Sequence, residues 1–315
     1  MLRPARAQQI DTLHRRLDFD SLVFARQIVY CGERIHGLAA ADRVTPLLAA
    51  ARALAPRYSE ILLETADTDD AKRLSALCRA LAVPLAARAD EQGLLAPSDR
   101  AAPRLHVLLL DGSSAWVGSS APGNSSPWPQ GIPRVRVAAG APSRSAHKLA
   151  EALRVFLTPD EQRRLLAPGA RAVDLGAAPG GWTWTLIHHG VRVVAVDNGP
   201  LKGDLDNALV EHLRTDGFRY RPRKPVDWLT CDIAAPPARV AALVADWIAE
   251  GHARQAIFNL KLPMKRRFDA VEQCATLMRE RLDRARLQCT LRFRQLYHDR
   301  EEVTGFCRVL PKRGR

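Results

Sequence analysis

The 315-residue sequence contains no long apolar run, and this absence excludes integral membrane proteins built from helices. A membrane-spanning helix needs about 20 consecutive apolar residues, and no stretch of about 18 or more occurs here. The amino-terminal segment MLRPARAQQIDTLHRRLDFD lacks the apolar core of a secretion signal. Asp11, Asp18 and Asp20 also argue against a mitochondrial presequence, in which acidic residues are scarce. We therefore expect a cytoplasmic protein without membrane contact.

Cysteine is sparse, and the pattern of its residues excludes two further classes. No Cys-x-x-Cys pair occurs, and no histidine cluster stands beside a cysteine at zinc-binding spacing. Structural disulfides and a metal site are therefore not expected, and reduced thiols fit the cell interior. The six scattered cysteines are Cys31, Cys78, Cys231, Cys274, Cys289 and Cys307.

Acidic residues are too few to balance the basic ones. The sequence has 47 Lys and Arg against 34 Asp and Glu, a formal net charge of +13. Cations that neutralise phosphates gain free energy from released counterions, so the excess favours a nucleic-acid partner. A generally basic, Arg-rich proteome would produce the same excess, and the charge alone does not separate the two interpretations.

The chain is longer than the usual single hydrophobic core, so two domains are expected. Residues 118–144 are crowded with Gly, Pro, Ser and Asn, which form turns and interrupt helices. This segment is the best candidate for a boundary. We assign residues 1–142 to a first domain with its linker, and residues 143–315 to a second.

The first domain reads as a small α/β unit. Asp42 is a candidate helix N-cap, Pro84 a candidate helix stop, and the dipeptide Asp111-Gly112 favours a hairpin turn. No catalytic constellation is evident, so we expect a binding role. The predicted elements are a helix at 42–54, a strand at 59–65, a helix at 69–82, and strands at 105–110 and 115–118.

Strands and helices alternate in the second domain, which indicates a mostly parallel sheet with helices on both faces. The last two strands, 288–295 and 303–310, are predicted to form an antiparallel pair. The preceding strands are predicted at 172–175, 191–196, 228–231 and 255–262, and the helices at 145–156, 182–189, 204–216 and 237–250.

The segment VDLGAAPGGWTWTL, residues 173–186, has the composition of a ligand-binding turn between a strand and a helix. Gly176, Gly180 and Gly181 lack a Cβ and let the backbone approach a ligand, and the helix that follows offers free N–H groups. Asp197 ends the next strand about 20 residues later, where an acid accepts hydrogen bonds from ribose hydroxyls. Dinucleotide binding needs Gly-x-Gly-x-x-Gly, which is absent here, although a turn kept only for packing stays possible. We predict S-adenosylmethionine as the cofactor.

Two further acids are expected at the same edge of the sheet. Asp216 stands where we place the start of the third strand, and Asp232 directly follows a strand. Carboxylates at the carboxyl ends of parallel strands point into the ligand crevice. Turn formation or helix capping is the alternative role for each of them.

Lys261 is the first candidate for catalysis. Methyl transfer to a hydroxyl requires an aligned acceptor and a base, and a lysine whose pKa is depressed by burial or by a second cation can serve. Lys261 ends a predicted strand between two leucines, although a surface lysine would show the same pattern. Lys148 and Glu302 are further candidates on other elements, and the run 265–267 suits phosphate binding.

These residues stand within segments that resemble a known family. The chain resembles the FtsJ-like ribose 2′-O-methyltransferases, and among them the bacterial 23S rRNA (cytidine-2′-O)-methyltransferase M family. The resemblance covers nearly the whole chain. The matching segments are LVFARQ, DRVTPLL, NSSPWPQGIPR, SRSAHKLAEA, VDLGAAPGGWTW, VDNGPL, TDGFRYRP, WLTCDI, IFNLKLPMKRR and LYHDREEVT.

The resemblance implies a Rossmann-like class I methyltransferase domain behind a smaller, THUMP-like RNA-binding domain. It implies Lys261 as the proton acceptor, with Lys148, Asp232 and Glu302 completing a tetrad, and Glu301 as the alternative for the last position. The implied cofactor site for S-adenosylmethionine consists of Ser145, Ala178, Pro179, Gly180, Gly181, Asp197, Asp216 and Asp232.

The substrate implied by the resemblance is the ribose 2′-hydroxyl of a cytidine in the peptidyl-transferase region of 23S rRNA, and we expect the enzyme to be a monomer. An additional α/β segment that usually begins such proteins is not expected in this chain. A methyltransferase for bases or proteins is an alternative, but the Asn/Asp-Pro-Pro-aromatic motif of base N-methyltransferases is absent. A non-catalytic RNA-binding assembly factor with the same fold is another.

Overall fold

The computed structural model describes residues 17–203, 205, 207–299 and 301–311. The chain divides into two compact units, Met1–Ile132 and Pro133–Arg315. The boundary predicted after residue 142 falls a short way inside the second unit.

The first unit is built around a four-stranded sheet with the strand order β1-β4-β3-β2. Strands β2 and β3 run parallel, and β3 and β4 form the hairpin predicted around Asp111-Gly112, whose carboxylate accepts from the Ser113 amide at 2.7 Å. The strands are β1 (Tyr30–Cys31), β2 (Glu60–Thr65), β3 (Arg104–Leu109) and β4 (Ala115–Ser120), and the helices are α1 (Val44–Leu54) and α2 (Ser75–Glu91). Short 3₁₀ turns lie at Phe19–Ser21, Asp70–Leu74 and Pro129–Gly131. Helix α1 begins two residues after Asp42, so Arg43 and not the predicted Asp42 stands at the N-cap position. The Asp42 carboxylate still accepts from the Thr45 amide in the first turn, at 3.0 Å.

The prediction that Pro84 stops a helix is wrong. The segment predicted as one helix at 69–82 begins as a 3₁₀ turn, and α2 then runs through Pro84 to Glu91. Pro84 is exposed, so water can satisfy the carbonyl whose helical partner it removes. The buried stripe Leu81, Leu85 and Ala89 continues across the proline at helical spacing. Burial of that stripe outweighs the lost hydrogen bond.

A polar network is buried in this first sheet. The two ring nitrogens of His106 lie 2.9 Å from a Glu64 oxygen and 2.8 Å from the Ser120 hydroxyl, the order found in hydrolase triads. Ser120 is only 1% exposed, however, so its hydroxyl cannot meet a substrate. The other Glu64 oxygen accepts from the Gln130 amide. The network therefore fixes the segment after β4 against β2.

The second unit contains a seven-stranded sheet in the order β10-β11-β9-β8-β5-β6-β7. All neighbours from β7 to β9 run parallel, and β11 is inserted antiparallel between β9 and β10. This is the predicted Rossmann-like sheet with its terminal antiparallel pair. The strands are β5 (Arg171–Leu175), β6 (Arg192–Val196), β7 (Val210–Leu213), β8 (Val226–Cys231), β9 (Ala253–Lys261), β10 (Cys289–Arg294) and β11 (Glu302–Val309).

Helices of the described residues pack on this sheet, and their apolar residues contribute to its core. Trp228 of β8 is fully buried and donates its indole N–H to the Leu165 carbonyl at 2.9 Å. Phe156 and Phe306 stack with their ring centroids 5.4 Å apart. The helices are α3 (Ser145–Phe156), α4 (Pro159–Leu165), α5 (Gly181–Ile187), α6 (Pro237–Ala249) and α7 (Arg267–Arg284).

The prediction of a helix at 204–216 is wrong for the described residues of this segment. Asp204 and Asp206 lie outside them. Residues 210–213 form β7, which pairs in parallel with β6 at the sheet edge. The spacing of Leu205, Leu209 and Leu213 imitates a helical stripe. Asn207 instead forms a turn, accepting from the Leu209 amide on its side chain and from the Val210 amide on its carbonyl, both at 2.9 Å. Strand pairing then overrides the local pattern.

Within the described part of the chain, no helix has the length and apolar character that crossing a membrane requires.

Asp174 at the end of β5 makes stability depend on pH. It is completely buried and accepts from the hydroxyls of Thr183 at 2.7 Å and Thr230 at 2.9 Å. Burial raises its pKa from 3.8 to about 6, against the effect of these two donors. Below about pH 3 the carboxyl is largely neutral in the folded and unfolded chains alike. The stability that this neutral form contributes is lost as the pH rises from about 4 through 6.

We therefore predict that Asp174→Asn gains stability relative to the wild type by up to about 3 kcal/mol between pH 4 and pH 7. Asn keeps the shape but cannot ionise. Urea unfolding at several pH values measures the difference, with Asp70→Asn, at a side chain that is 94% exposed, as a control. A pH-independent difference for Asp174→Asn would contradict the prediction.

Candidate active site

The site lies at the carboxyl ends of the parallel strands, beside β5. The strand order reverses there, because β6 leads to one edge of the sheet and β8 to the other. Loops that leave β5 and β8 diverge to opposite faces at such a point, and a crevice opens between them. The glycine-rich turn follows β5 directly.

The glycine-rich turn is packed so closely that side chains are excluded. Gly176 and Gly180 have φ angles of +77° and +114°, which other residues rarely adopt. A Cβ on Gly181 would lie 2.2 Å from the Ser145 hydroxyl and 2.8 Å from the Ala146 amide. Of the predicted cofactor residues, Gly181 lies against Ser145 at the start of α3, and Gly180 lies against Leu205. Ala178 and Pro179 stand in the same turn, which we call the glycine cradle.

Asp197 is tied to the same turn. Its carboxylate accepts from the Ala178 amide at 3.1 Å and from the Gly199 amide at 2.7 Å, one on each oxygen. A carboxylate has about four acceptor positions, so the half-buried side chain keeps capacity for ribose hydroxyls. The structure thus places Asp197 beside the cradle, as the spacing predicts.

Asp216 follows a strand instead of beginning one. Strand β7 ends at Leu213, and the Asp216 carboxylate accepts from the Phe218 amide at 2.9 Å. This is the turn-forming role that the sequence left open. A Cβ on the neighbouring Gly217 would lie 3.1 Å from Ile233, the residue that also faces Gly176. Asp216 therefore lies at the same edge of the sheet as the cradle.

Four charged side chains from four elements meet next to this edge. Lys261 Nζ donates to Asp232 Oδ1 at 3.0 Å and to Glu302 Oε1 at 2.8 Å. Lys148 Nζ donates to Glu302 Oε2 at 2.7 Å. Lys148 belongs to α3, Asp232 follows β8, Lys261 ends β9 and Glu302 begins β11. The structure therefore brings together all four members of the predicted tetrad.

Strand register explains how Lys261 and Glu302 meet. They are direct partners in the antiparallel ladder of β9 and β11, so their side chains lie on one face of the sheet. Glu301 falls outside the cluster, being 68% exposed on its side chain and 3.7 Å from Arg267. Of the two neighbouring acids, the structure places Glu302 in the tetrad.

The charges of the cluster stabilise one another. Burial alone would lower the pKa of Lys261, but the adjacent carboxylates of Asp232 and Glu302 raise it above its ordinary value. Burial alone would raise the pKa of Glu302, but Lys148 and Lys261 lower it. The depressed lysine pKa expected from the sequence is therefore not found. Lys261 is an ammonium group in this structure.

The sequence interpretation missed one residue of the cluster, Asn259. Its side chain is fully buried, and Nδ2 lies within hydrogen-bond distance of both Asp232 and Glu302. The available signal was its position on β9, two residues before Lys261, because alternate residues of a strand share a face.

Matches to known proteins cover almost the whole chain. The protein-family model described as "Ribosomal RNA large subunit methyltransferase M, N-terminal" matches residues 42–121, and the family model described as "FtsJ-like methyltransferase" matches residues 141–293. A ribosomal RNA large subunit methyltransferase M from Methylococcus capsulatus is 53% identical over 296 residues, 94% of this chain and 83% of that protein. Its namesake from Aromatoleum aromaticum is 49% identical over 295 residues, 93% of this chain and 80% of that protein.

Among solved structures, fibrillarin from Aeropyrum pernix with bound S-adenosyl-L-methionine matches 64% of this chain and 81% of its own. Its identity is 16% and its TM-score 0.38, and a likeness this remote adds nothing to the assignment. The family model that matches residues 42–121 does not mention THUMP, so the likeness of the first unit to THUMP stays a prediction.

The cradle yields a prediction. Gly181→Ala forces a methyl group against the Ser145 hydroxyl and the Ala146 backbone, so the turn must shift. We expect affinity for S-adenosylmethionine to fall at least about tenfold, the effect of losing about one hydrogen bond. Isothermal titration calorimetry measures it, with Gly112→Ala as the control, because a Cβ there meets open space. Wild-type affinity in Gly181→Ala would show that the turn does not contact the cofactor.

Proposed function

Because the chain belongs to the ribosomal RNA large subunit methyltransferase M family, we propose that it methylates the ribose 2′-hydroxyl of a cytidine in the peptidyl-transferase region of 23S rRNA. The observation that carries the proposal is the cluster of Lys148, Asp232, Lys261 and Glu302 beside the glycine cradle. A cofactor and an acceptor hydroxyl can therefore be held next to each other.

The residues around the cradle suit S-adenosylmethionine, which supplies a methyl group on a sulfonium carbon when bound. Gly180 and Gly181 are proposed to face the amino-acid part, and the hydroxyl of Ser145, which lies against Gly181, is proposed to bond to it. The free acceptor positions of Asp197 suit ribose hydroxyls. Asp216 and Asp232 line the same edge of the sheet.

Lys261 is proposed as the group that receives the proton of the acceptor hydroxyl. In this structure it is already protonated and held by two carboxylates, so it must release a proton before it acts. An acceptor hydroxyl that takes the place of one carboxylate, or a cation beside it, would lower its pKa. Lys148 keeps Glu302 ionised and in place, and Asp232 orients the Lys261 amine.

RNA binding is supported by the charge and by the surface next to the cluster. The run Lys265, Arg266 and Arg267 follows Lys261 by a few residues and suits phosphates. Met264 and Phe268 flank this run and are 84% and 55% exposed, so bases can stack on them. The first unit, proposed as THUMP-like, adds RNA contacts. We propose that the enzyme works as a monomer in the cytoplasm, without a membrane partner.

The proposal predicts a defined loss in cells. Mass mapping of 23S rRNA from a deletion strain should show one cytidine without its 2′-O-methyl group. The wild-type gene should restore it. An unchanged methylation map would overturn the proposed substrate. If labelled S-adenosylmethionine transferred its methyl group to a base or to a protein, the chain would be a methyltransferase of another kind.

Replacement of Lys261 tests its role, with turnover measured as methyl transfer to 23S rRNA. Lys261→Arg keeps the positive charge but cannot release a proton near neutral pH, so it should be as inactive as Lys261→Gln, with turnover reduced at least about a thousandfold. Both variants should bind S-adenosylmethionine normally in calorimetry. Substantial activity in Lys261→Arg would show that the cation orients the acceptor and that another group takes the proton.

The neighbouring acids provide a matched pair for the fourth tetrad position. Glu302→Gln removes the charge that holds both lysines, and we expect kcat to fall about a hundredfold, the effect of losing charge-assisted hydrogen bonds. Glu301→Gln affects only an exposed pair and should stay within about twofold. Equal losses in the two variants under single-turnover conditions would contradict the assignment.

A further inference from the structure

Asn259 and Lys261 bridge the same two carboxylates from one strand. Asn259 Nδ2 lies 3.1 Å from Asp232 Oδ1 and 3.0 Å from Glu302 Oε2. A carboxamide nitrogen carries two hydrogens, so each can serve one carboxylate. Lys261 donates to the same Asp232 oxygen and to the other oxygen of Glu302. Asn259 therefore fixes where both carboxylates stand relative to Lys261.

A neutral donor suits this position. Two carboxylates this close repel each other, and a buried group without a partner costs free energy. A third lysine would neutralise the charge that acts on Lys261, and an aspartate would add to the repulsion. The amide of Asn259 satisfies both carboxylates and leaves their net charge unchanged.

Thr304 determines which way the Asn259 amide faces. Its hydroxyl lies 2.9 Å from Asn259 Oδ1, and the two residues are direct partners in the ladder of β9 and β11. Thr304 is fully buried. As long as its hydroxyl donates to the carbonyl oxygen, the nitrogen must point at the carboxylates. An amide turned the other way would place an acceptor against two anions.

Asp299 completes the chain behind Thr304. Its Oδ2 lies 2.9 Å from the Thr304 hydroxyl, and its Oδ1 has no hydrogen-bond partner in the described ranges. A hydroxyl has one hydrogen, so Thr304 donates fully to Asn259 and also bonds to Asp299 when Asp299 carries a proton. Burial raises the pKa of Asp299 to about 6, so the protonated form predominates below pH 6, and above it the Thr304 hydrogen is shared between the two acceptors.

We propose that Asn259, oriented by Thr304, is a positioning residue that holds Asp232 and Glu302 around Lys261 for methyl transfer. The kinetic consequence rests on the proposed function. The effect on the carboxylates does not, because it requires no substrate.

The matched variants Thr304→Val and Thr304→Ser test the proposal. Valine keeps the shape and loses the hydroxyl that anchors Asn259 Oδ1, so the amide is held less firmly against the carboxylates; serine keeps the hydroxyl. We expect Thr304→Val to lower kcat about fivefold to tenfold with KM for rRNA unchanged, and Thr304→Ser to remain near the wild type. Thermal melting and cofactor calorimetry establish that both variants are folded.

A titration of Glu302 by ¹³C-carboxyl NMR, assigned with Glu302→Gln, supplies a readout that general destabilisation would not move. Loss of an N–H donor disfavours the charged form, so the pKa of Glu302 should rise in Thr304→Val and not in Thr304→Ser. An unchanged Glu302 titration, or equal effects of valine and serine, would overturn the proposal. If the wild type methylates no rRNA, the proposed function fails. The titration of Glu302 still decides whether Asn259 positions the carboxylates.

Asn259→Ala is the second variant, and it decides the question if Thr304→Val does not fold. It removes both donors at once, so kcat should fall about tenfold to a hundredfold, with a larger rise in the pKa of Glu302 than in Thr304→Val. Wild-type values of both quantities in folded Asn259→Ala would overturn the role of Asn259.

Discussion

The antiparallel register of β9 against β11 is the constraint on which the site depends. It sets Lys261 opposite Glu302 and Asn259 opposite Thr304, so one ladder places four polar side chains of the cluster. A slip of one residue would turn Glu302 to the other face of the sheet. The buried apolar residues that alternate with them, such as Val303 and Leu260, favour this register, because a slip of one residue would turn one of the two strands' apolar residues to the face that carries the charged cluster.

The cluster is stable as a group because its charges balance. Two lysines face two carboxylates, and the bridging amide of Asn259 adds donors without charge. Removing one partner from such a group leaves an uncompensated, partly buried charge. The same balance holds Lys261 in its protonated form, so catalysis by this residue depends on what enters the site. The ion pairs that stabilise the cluster without substrate are therefore the same ones that must change before Lys261 can accept a proton.

Much of this fold follows from local patterns. The alternation of strands and helices, the hairpin at Asp111-Gly112 and the glycine turn depend on neighbours in sequence, and they were predicted correctly. The failures at Pro84 and at residues 204–216 have one cause, since distant contacts override local preference in both. Burial carries α2 across its proline, and pairing with β6 makes an edge strand of a segment that reads as a helix.

The sequence by itself determined the chemistry that is present. Residue type and spacing identified the glycine cradle and the acid at Asp197, and the family resemblance implied the charged residues of the tetrad. Only the tertiary structure decided which of them meet. Glu302 rather than Glu301 joins the lysines, Asn259 enters the cluster, and the pKa of Lys261 rises instead of falling. These outcomes depend on strand register and on distances between residues far apart in the chain, which no local pattern encodes.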